Sequence, residues 1–133
     1  MRLLLDTHVW IWTQEEEERL GAETTRTLVD PETSLHVSTV STLEIARLVA
    51  LGTIELSGTL DSWVEETLDS LLCSTIEISH EIAAAAYSLP SGLHKDPADR
   101  ILVATARLHD LTLLTADERL LDYGGVRTLD ARS

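Results

Sequence analysis

"HKDPADRILVATARLHDLTLLTAD", His94 to Asp117, contains one structural unit of an α/β fold in a single run. Asp96 before Pro97 reads as a helix N-cap, with proline at the first helical position, where its missing N–H costs nothing. Asp99 is then the third helical residue. Apolar residues recur at helical spacing to about His109, "LTLLT" follows as a strand, and Asp117 opens the next segment. The unit places two aspartates at a helix start and one after a strand, which raises the question of where the chain's other carboxylates lie.

The same alternation extends in both directions. "RLLL" reads as a buried strand and is followed by a helical pattern from Thr7 to about Thr13. A second helix is expected over 20–29, stopped by Pro31, and "LHVST" is a strand. "STLEIARLVALG" reads as a helix closed by Gly52, with Ser41 and Glu44 forming a capping box. "DSWVEETLDSLL" places Val64, Leu68, Leu71 and Leu72 on one helical face, and "STIEIS" is a short strand. "HEIAAAAYSLP" is expected to be helical up to Pro90, "DERLLDYG" is a short helix and "VRTLD" a closing strand. Strands separated by helices imply an α/β fold with a mainly parallel sheet and right-handed crossovers. No repeat, linker or low-complexity stretch divides the 133 residues, so one domain spanning 1–133 is expected.

Composition narrows the function classes. The chain carries 44% hydrophobic residues spread throughout, which argues against disorder. Its apolar runs are too short to span a bilayer, and Asp6 interrupts any signal-peptide pattern after Arg2. Cys73 is the single cysteine and leaves no internal disulfide, so a cytoplasmic location is the expectation. The net charge of −13, with nine arginines and only Lys95 as lysine, would repel nucleic acid if spread evenly. A nucleic-acid role therefore requires metal ions, a local arginine patch or a basic partner.

In a parallel sheet the strand-to-helix turns gather at one edge, and ligands bind there near the topological switch point. Asp6, Asp96, Asp99 and Asp117, with Glu44 one turn into its helix, share that edge on this scheme. Each of them alone is adequately explained as a helix cap. Together they cannot all stay ionised within a few ångströms without a cation. Oxygen donors without a histidine–cysteine set point to Mg²⁺ or Mn²⁺ and away from zinc. His8, His36, His80, His94 and His109 lack a ligand spacing and are assigned to surface or packing, with His94 the least secure because it flanks the acids.

"LLLDTHVWIW", "VSTVSTLEIARLVALG", "HKDPADRILVATARLHDLTLLTAD" and the closing strand together resemble a PIN domain, and most closely the VapC-type ribonuclease toxins of prokaryotic toxin–antitoxin pairs. The likeness covers essentially the whole chain. It implies a three-layer fold with helices on both faces of the sheet. The family's four acids correspond to Asp6, to Glu44 in S-x-x-E, to Asp99 in "DRILVATA", and to Asp117 in T-x-D. Asp96 belongs to the HxDPxDR version of the third motif and is either an added ligand or only the cap. The implied activity is hydrolysis of RNA by a metal-activated water, with Asp6, Asp99, Asp117 and possible ligand Asp96 at Mg²⁺ or Mn²⁺ and Glu44 ligating or orienting the water. Thr7, Ser41 and Thr115 are candidate supporting or phosphate-donor residues, and Arg100 a candidate phosphate contact or partner of a nearby acid. The implied partners are a structured RNA such as tRNA, a small DNA-binding antitoxin and a second copy in a homodimer. Of Trp10, Trp12 and Trp63, at least one is expected in the core and one is a candidate for a partner face.

Three rival readings cluster acids at the same edge. A response-regulator receiver needs a lysine after a late strand, whereas Lys95 lies before a helix. A haloacid-dehalogenase-like phosphatase wants D-x-D after the first strand, where this chain reads "DTH". In a non-catalytic binding module the acids would be caps alone, a case that metal titration separates.

Overall fold

A computed structural model describes residues 1–133. Strand β1 (Arg2–Leu5) leads through helix α1 (Thr7–Glu15), a 3₁₀ turn (Glu17–Arg19) and α2 (Ala22–Val29) to β2 (Ser34–Ser38). Helices α3 (Thr39–Ala50) and α4 (Leu60–Leu71) precede β3 (Cys73–Ile76). The chain then runs through α5 (His80–Ala85), α6 (Pro97–Leu108), β4 (Thr112–Thr115), α7 (Glu118–Leu121) and β5 (Thr128–Asp130). All strand pairs are parallel and the sheet order is β3-β2-β1-β4-β5. The chain builds outward from β1 to β3, then returns to the other side of β1 for β4 and β5. The switch point therefore lies between β1 and β4.

Alternation along β1 divides the core into two faces. Leu3 and Leu5 pack with Val9, Trp10, Ile45 and Trp63 on one side of the sheet. Leu4 packs with Leu102, Val103, Leu113 and Leu120 on the other. Two-sided burial explains why "LLL" is uninterrupted, as expected for a central parallel strand. No helix is long and apolar enough to cross a membrane.

Three local expectations are corrected. Helix α3 starts earlier than expected: Ser38, not Ser41, is its N-cap and accepts the Val40 N–H at 3.0 Å, so no Ser41–Glu44 capping box forms. Its other end is as expected, with Gly52 at φ 72 and the Thr53 N–H donating to Leu48 O at 2.9 Å. On α4 the expected apolar face packs on the core except at Leu72. Trp63 and Thr67 are buried and Val64, Leu68 and Leu71 flank them, whereas Leu72 lies past the helix end at φ 53 and is exposed. Helix α5 stops at Ala85, short of Pro90. The Tyr87 and Ser88 N–H groups bond three residues back, and Ala86 O is taken by Arg100 Nε at 2.9 Å.

Candidate active site

Asp6, Glu44, Asp96, Asp99 and Asp117 all line one open cleft of about 210 Å³ at the carboxyl end of the sheet. The sequence roles of these acids then separate by geometry. Asp6, Asp96 and Asp117 are the N-caps of α1, α6 and α7. Asp96 Oδ1 accepts the N–H groups of Ala98 at 2.9 Å and Asp99 at 3.2 Å. Asp117 Oδ1 accepts the Arg119 N–H at 2.9 Å, and Asp6 Oδ1 accepts that of Thr7 at 2.8 Å. Glu44, inside α3, and Asp99, in the first turn of α6, accept no backbone N–H. Capping does not account for either.

A hydroxyl web joins the acids. Buried Thr115 donates its Oγ1 proton to Asp6 Oδ2 at 2.7 Å and receives the Asp117 N–H at 3.0 Å, so β4 links the first acid to the fourth. Thr7 Oγ1 is hydrogen-bonded to Glu44 Oε1 and lies 2.8 Å from Ser41 Oγ. Ser41, fully buried in the first turn of α3, thus ties α3 to α1. Ser41 and Thr115 are fully buried behind the carboxylates, whereas Thr7 also lines the cleft, and all three hydroxyls are hydrogen-bonded.

Arg100 stands elsewhere. Its guanidinium donates to the carbonyls of Ala86, Leu93 and His94 and lies 5.0 Å from the Tyr87 ring centroid. It therefore neither pairs with an acid nor faces the cleft; it staples the end of α5 and the loop before α6 to that helix. Arg119 is the arginine on the cleft, with Nη2 at 2.9 Å from Asp117 Oδ2 and 3.7 Å from Asp99 Oδ2.

Two histidines also depart from the sequence assignment. His94 Nε2 is 2.6 Å from Asp99 Oδ2, and one donor atom each of His94, Asp99 and Asp117 falls within 4.8 Å of the others. His8 Nε2 accepts the Ala116 N–H at 3.0 Å, which leaves the ring proton on Nδ1, 3.5 Å from Asp6 Oδ2. Arg119 carried a readable signal, because it stands two residues after the Asp117 cap, where its side chain can fold back over that carboxylate. His94 carried only its position flanking the acids and His8 no signal, since their directions depend on the 90–96 loop and on the β4 end.

Burial raises the Glu44 carboxyl above its ordinary range, with Asp6, Asp99 and Asp96 adding to the rise and the Thr7 hydrogen bond opposing it. Burial likewise raises Asp99, against the His94 hydrogen bond, with Asp6 and Asp96 again adding. Asp117 is held low, chiefly by its hydrogen bond from Arg119. The raised groups bind protons more readily folded than unfolded. Their contribution to stability is complete below the ordinary carboxylate pKa, about 4, and is lost as pH rises through their folded values. At neutral pH the ionised Glu44 and Asp99 carboxylates therefore oppose folding, whereas Asp117, held low, contributes in the opposite direction. Carboxylate oxygens gathered under that repulsion fit a hard divalent ion.

The parallel sheet with an acid-lined cleft at its switch point is an arrangement that a PIN domain shares, and residues 3–126 match the PIN domain family. The chain belongs to that family. It is 35% identical over 121 residues to Ribonuclease VapC22 of Mycobacterium tuberculosis, covering 91% of both chains. The fold resembles that in the crystal structure of VapBC2 from Rickettsia felis bound to a promoter DNA fragment, with a TM-score of 0.69 at 15% identity, covering 97% of this chain and 98% of that one. It also resembles FitAcB from Neisseria gonorrhoeae, with a TM-score of 0.65 at 23% identity over 97% of each chain.

Proposed function

We propose that this chain is a Mg²⁺- or Mn²⁺-dependent endoribonuclease, the toxin of a type II toxin–antitoxin module, hydrolysing phosphodiester bonds in a structured RNA such as tRNA. The observation that carries the reading is the pair Glu44 and Asp99, two acids that cap nothing, are raised by burial and face the same cleft as Asp6 and Asp117. Likeness to Ribonuclease VapC22 over nine-tenths of the chain supports the substrate class. The VapBC complexes among the similar structures support an antitoxin partner, and self-association into a homodimer belongs to the same reading. A non-catalytic binding module accounts for the three caps but gives Glu44 and Asp99 no role.

Asp99, Asp117 and Asp6 would hold the ion, and it would supply Lewis-acid polarisation of the phosphate and a water acidic enough to attack near neutral pH. The chain's own groups set the geometry. Thr115 fixes the Asp6 carboxylate, and the Asp117 cap fixes the fourth acid against the start of α7. Glu44, its acidity weakened by burial, accepts a proton from water more readily than an exposed glutamate does. Asp96 shapes the α6 start as its cap, through Oδ1, and lines the rim of the cleft.

Thermal unfolding with Mn²⁺ tests the reading. Millimolar Mn²⁺ is expected to raise the melting temperature near pH 7.5, by mass action on the folded state. The rise should shrink toward pH 5, where protons compete at Glu44 and Asp99. Asp99→Asn should keep or slightly raise cation-free stability and lose most of the response. A wild-type protein indifferent to Mn²⁺ at both pH values would refute the metal reading.

A further inference from the structure

We infer that Arg119 is the built-in counter-cation of the cleft: it bridges Asp117 and Asp99 when no divalent ion is bound, yields that place to the ion, and then offers its guanidinium to the RNA phosphate. The inference rests on the metal-dependent reading proposed above and names a residue which that reading leaves without a role.

Three observations converge on Arg119. The first is position. Its Nε and Nη2 lie 3.3 and 2.9 Å from the two Asp117 oxygens, and Nη2 also reaches 3.7 Å from Asp99 Oδ2, so one guanidinium neutralises the mouth of the acid cluster. The second is freedom. The Arg119 side chain is 60% exposed, while the Asp117 carboxylate keeps the Arg119 backbone N–H at 2.9 Å as a separate anchor. The side chain can therefore leave without unpacking α7 or releasing the cap. The third is scarcity. Arg2, Arg100 and Arg107 donate to carbonyls, Arg19, Arg127 and Arg132 pair with surface acids, and Arg26 and Arg47 do not line the cleft. In a chain of net charge −13, Arg119 is the one arginine on the cleft.

Asp99 and Asp117 would help hold a divalent ion, and a guanidinium on the same carboxylates would compete with it by like-charge repulsion. The displaced fork is suited to a phosphate, which accepts two parallel N–H bonds as a carboxylate does. The site thus exchanges an internal cation for a metal and turns the released one toward the incoming anion.

Mn²⁺ titration calorimetry on wild type, Arg119→Gln and Arg119→Lys, joined to steady-state RNA cleavage, tests this. Losing an exposed competing ion pair should tighten the Mn²⁺ Kd of Arg119→Gln by about two- to fivefold. In cleavage, the same variant should raise KM more than it lowers kcat. Arg119→Lys keeps the charge without the fork, so its Mn²⁺ Kd should stay near wild type while KM still rises. Unchanged or weaker Mn²⁺ binding by Arg119→Gln overturns the counter-cation role, and an unchanged KM overturns the phosphate role. If wild type itself binds no Mn²⁺, the metal reading fails and the inference falls with it.

Discussion

Asp99→Ser is expected to leave the chain folded and to cut RNA cleavage by more than about a hundredfold, because losing even an outer-shell partner of a metal ligand typically costs 10–100-fold. Asp96→Ser, three residues away on the same helix, should retain a measurable fraction of activity. The two positions differ in what their oxygens do. Asp96 is exposed and accepts two backbone N–H groups, a task that a serine hydroxyl performs at an N-cap. Asp99 is buried, supports no backbone group and meets only His94 and Arg119. A hydroxyl there supplies neither the charge nor the second oxygen. Circular dichroism and denaturation of both variants should show native folds. Equal loss from both would make Asp96 a ligand, and equal retention would remove Asp99 from the site.

Trp10→Ala carries the largest expected effect on stability. Trp10 is fully buried on one face of the sheet, 5.2 Å from Trp63 between ring centroids, and its Nε1 donates to Thr67 Oγ1 at 3.0 Å. Truncation removes a large apolar surface, leaves a cavity and breaks that hydrogen bond, at a cost of about 3–5 kcal/mol. For a domain of ordinary marginal stability that is a substantial fraction of the whole. Trp12 is the control. It is half-buried on the same helix, 4.9 Å from the His8 ring, with Arg19 at 4.5 Å over its face, so Trp12→Ala should cost clearly less. Urea denaturation curves with unchanged m-values check both. Equal costs for the two would show that the core is not built around Trp10.

The class of fold was legible because the central strands β1 and β4 are short, apolar and followed by an aspartate that caps a helix. "RLLLDT" and "LTLLTAD" carry that signal within six or seven residues. The misplacements arose where tertiary contacts chose between equal local options. "VSTVSTLE" offers two serines that can cap α3, and Ser38 takes the role while Ser41 is buried against Thr7, 34 residues away in sequence. On α4 Trp63 joins the expected Val64, Leu68 and Leu71 because it packs on Trp10, a contact that spacing within the helix does not encode.

At the site, the acids were legible for the same reason as the strands: Asp6, Asp99 and Asp117 sit at strand or helix ends, which the topology brings to one edge. Of the cationic side chains, only Arg119 had a local signal, its place two residues after the Asp117 cap. Arg100 adjoins Asp99 in sequence yet turns toward Ala86, Leu93 and His94 carbonyls, because the loop between α5 and α6 needs donors there. His94 has no ligand spacing, and beyond its place beside the acids only the fold of residues 90–96 brings its ring to Asp99.

Mass analysis of RNA fragments made by the purified chain in Mg²⁺ or Mn²⁺ tests the central claim most directly. Hydrolysis by water at the cleft predicts 5′-phosphate and 3′-hydroxyl ends, formed with either ion, suppressed by chelation and absent with Asp99→Asn. Cleavage that persists under chelation and leaves 2′,3′-cyclic phosphate ends would contradict it, since attack would then come from the RNA's own 2′-hydroxyl.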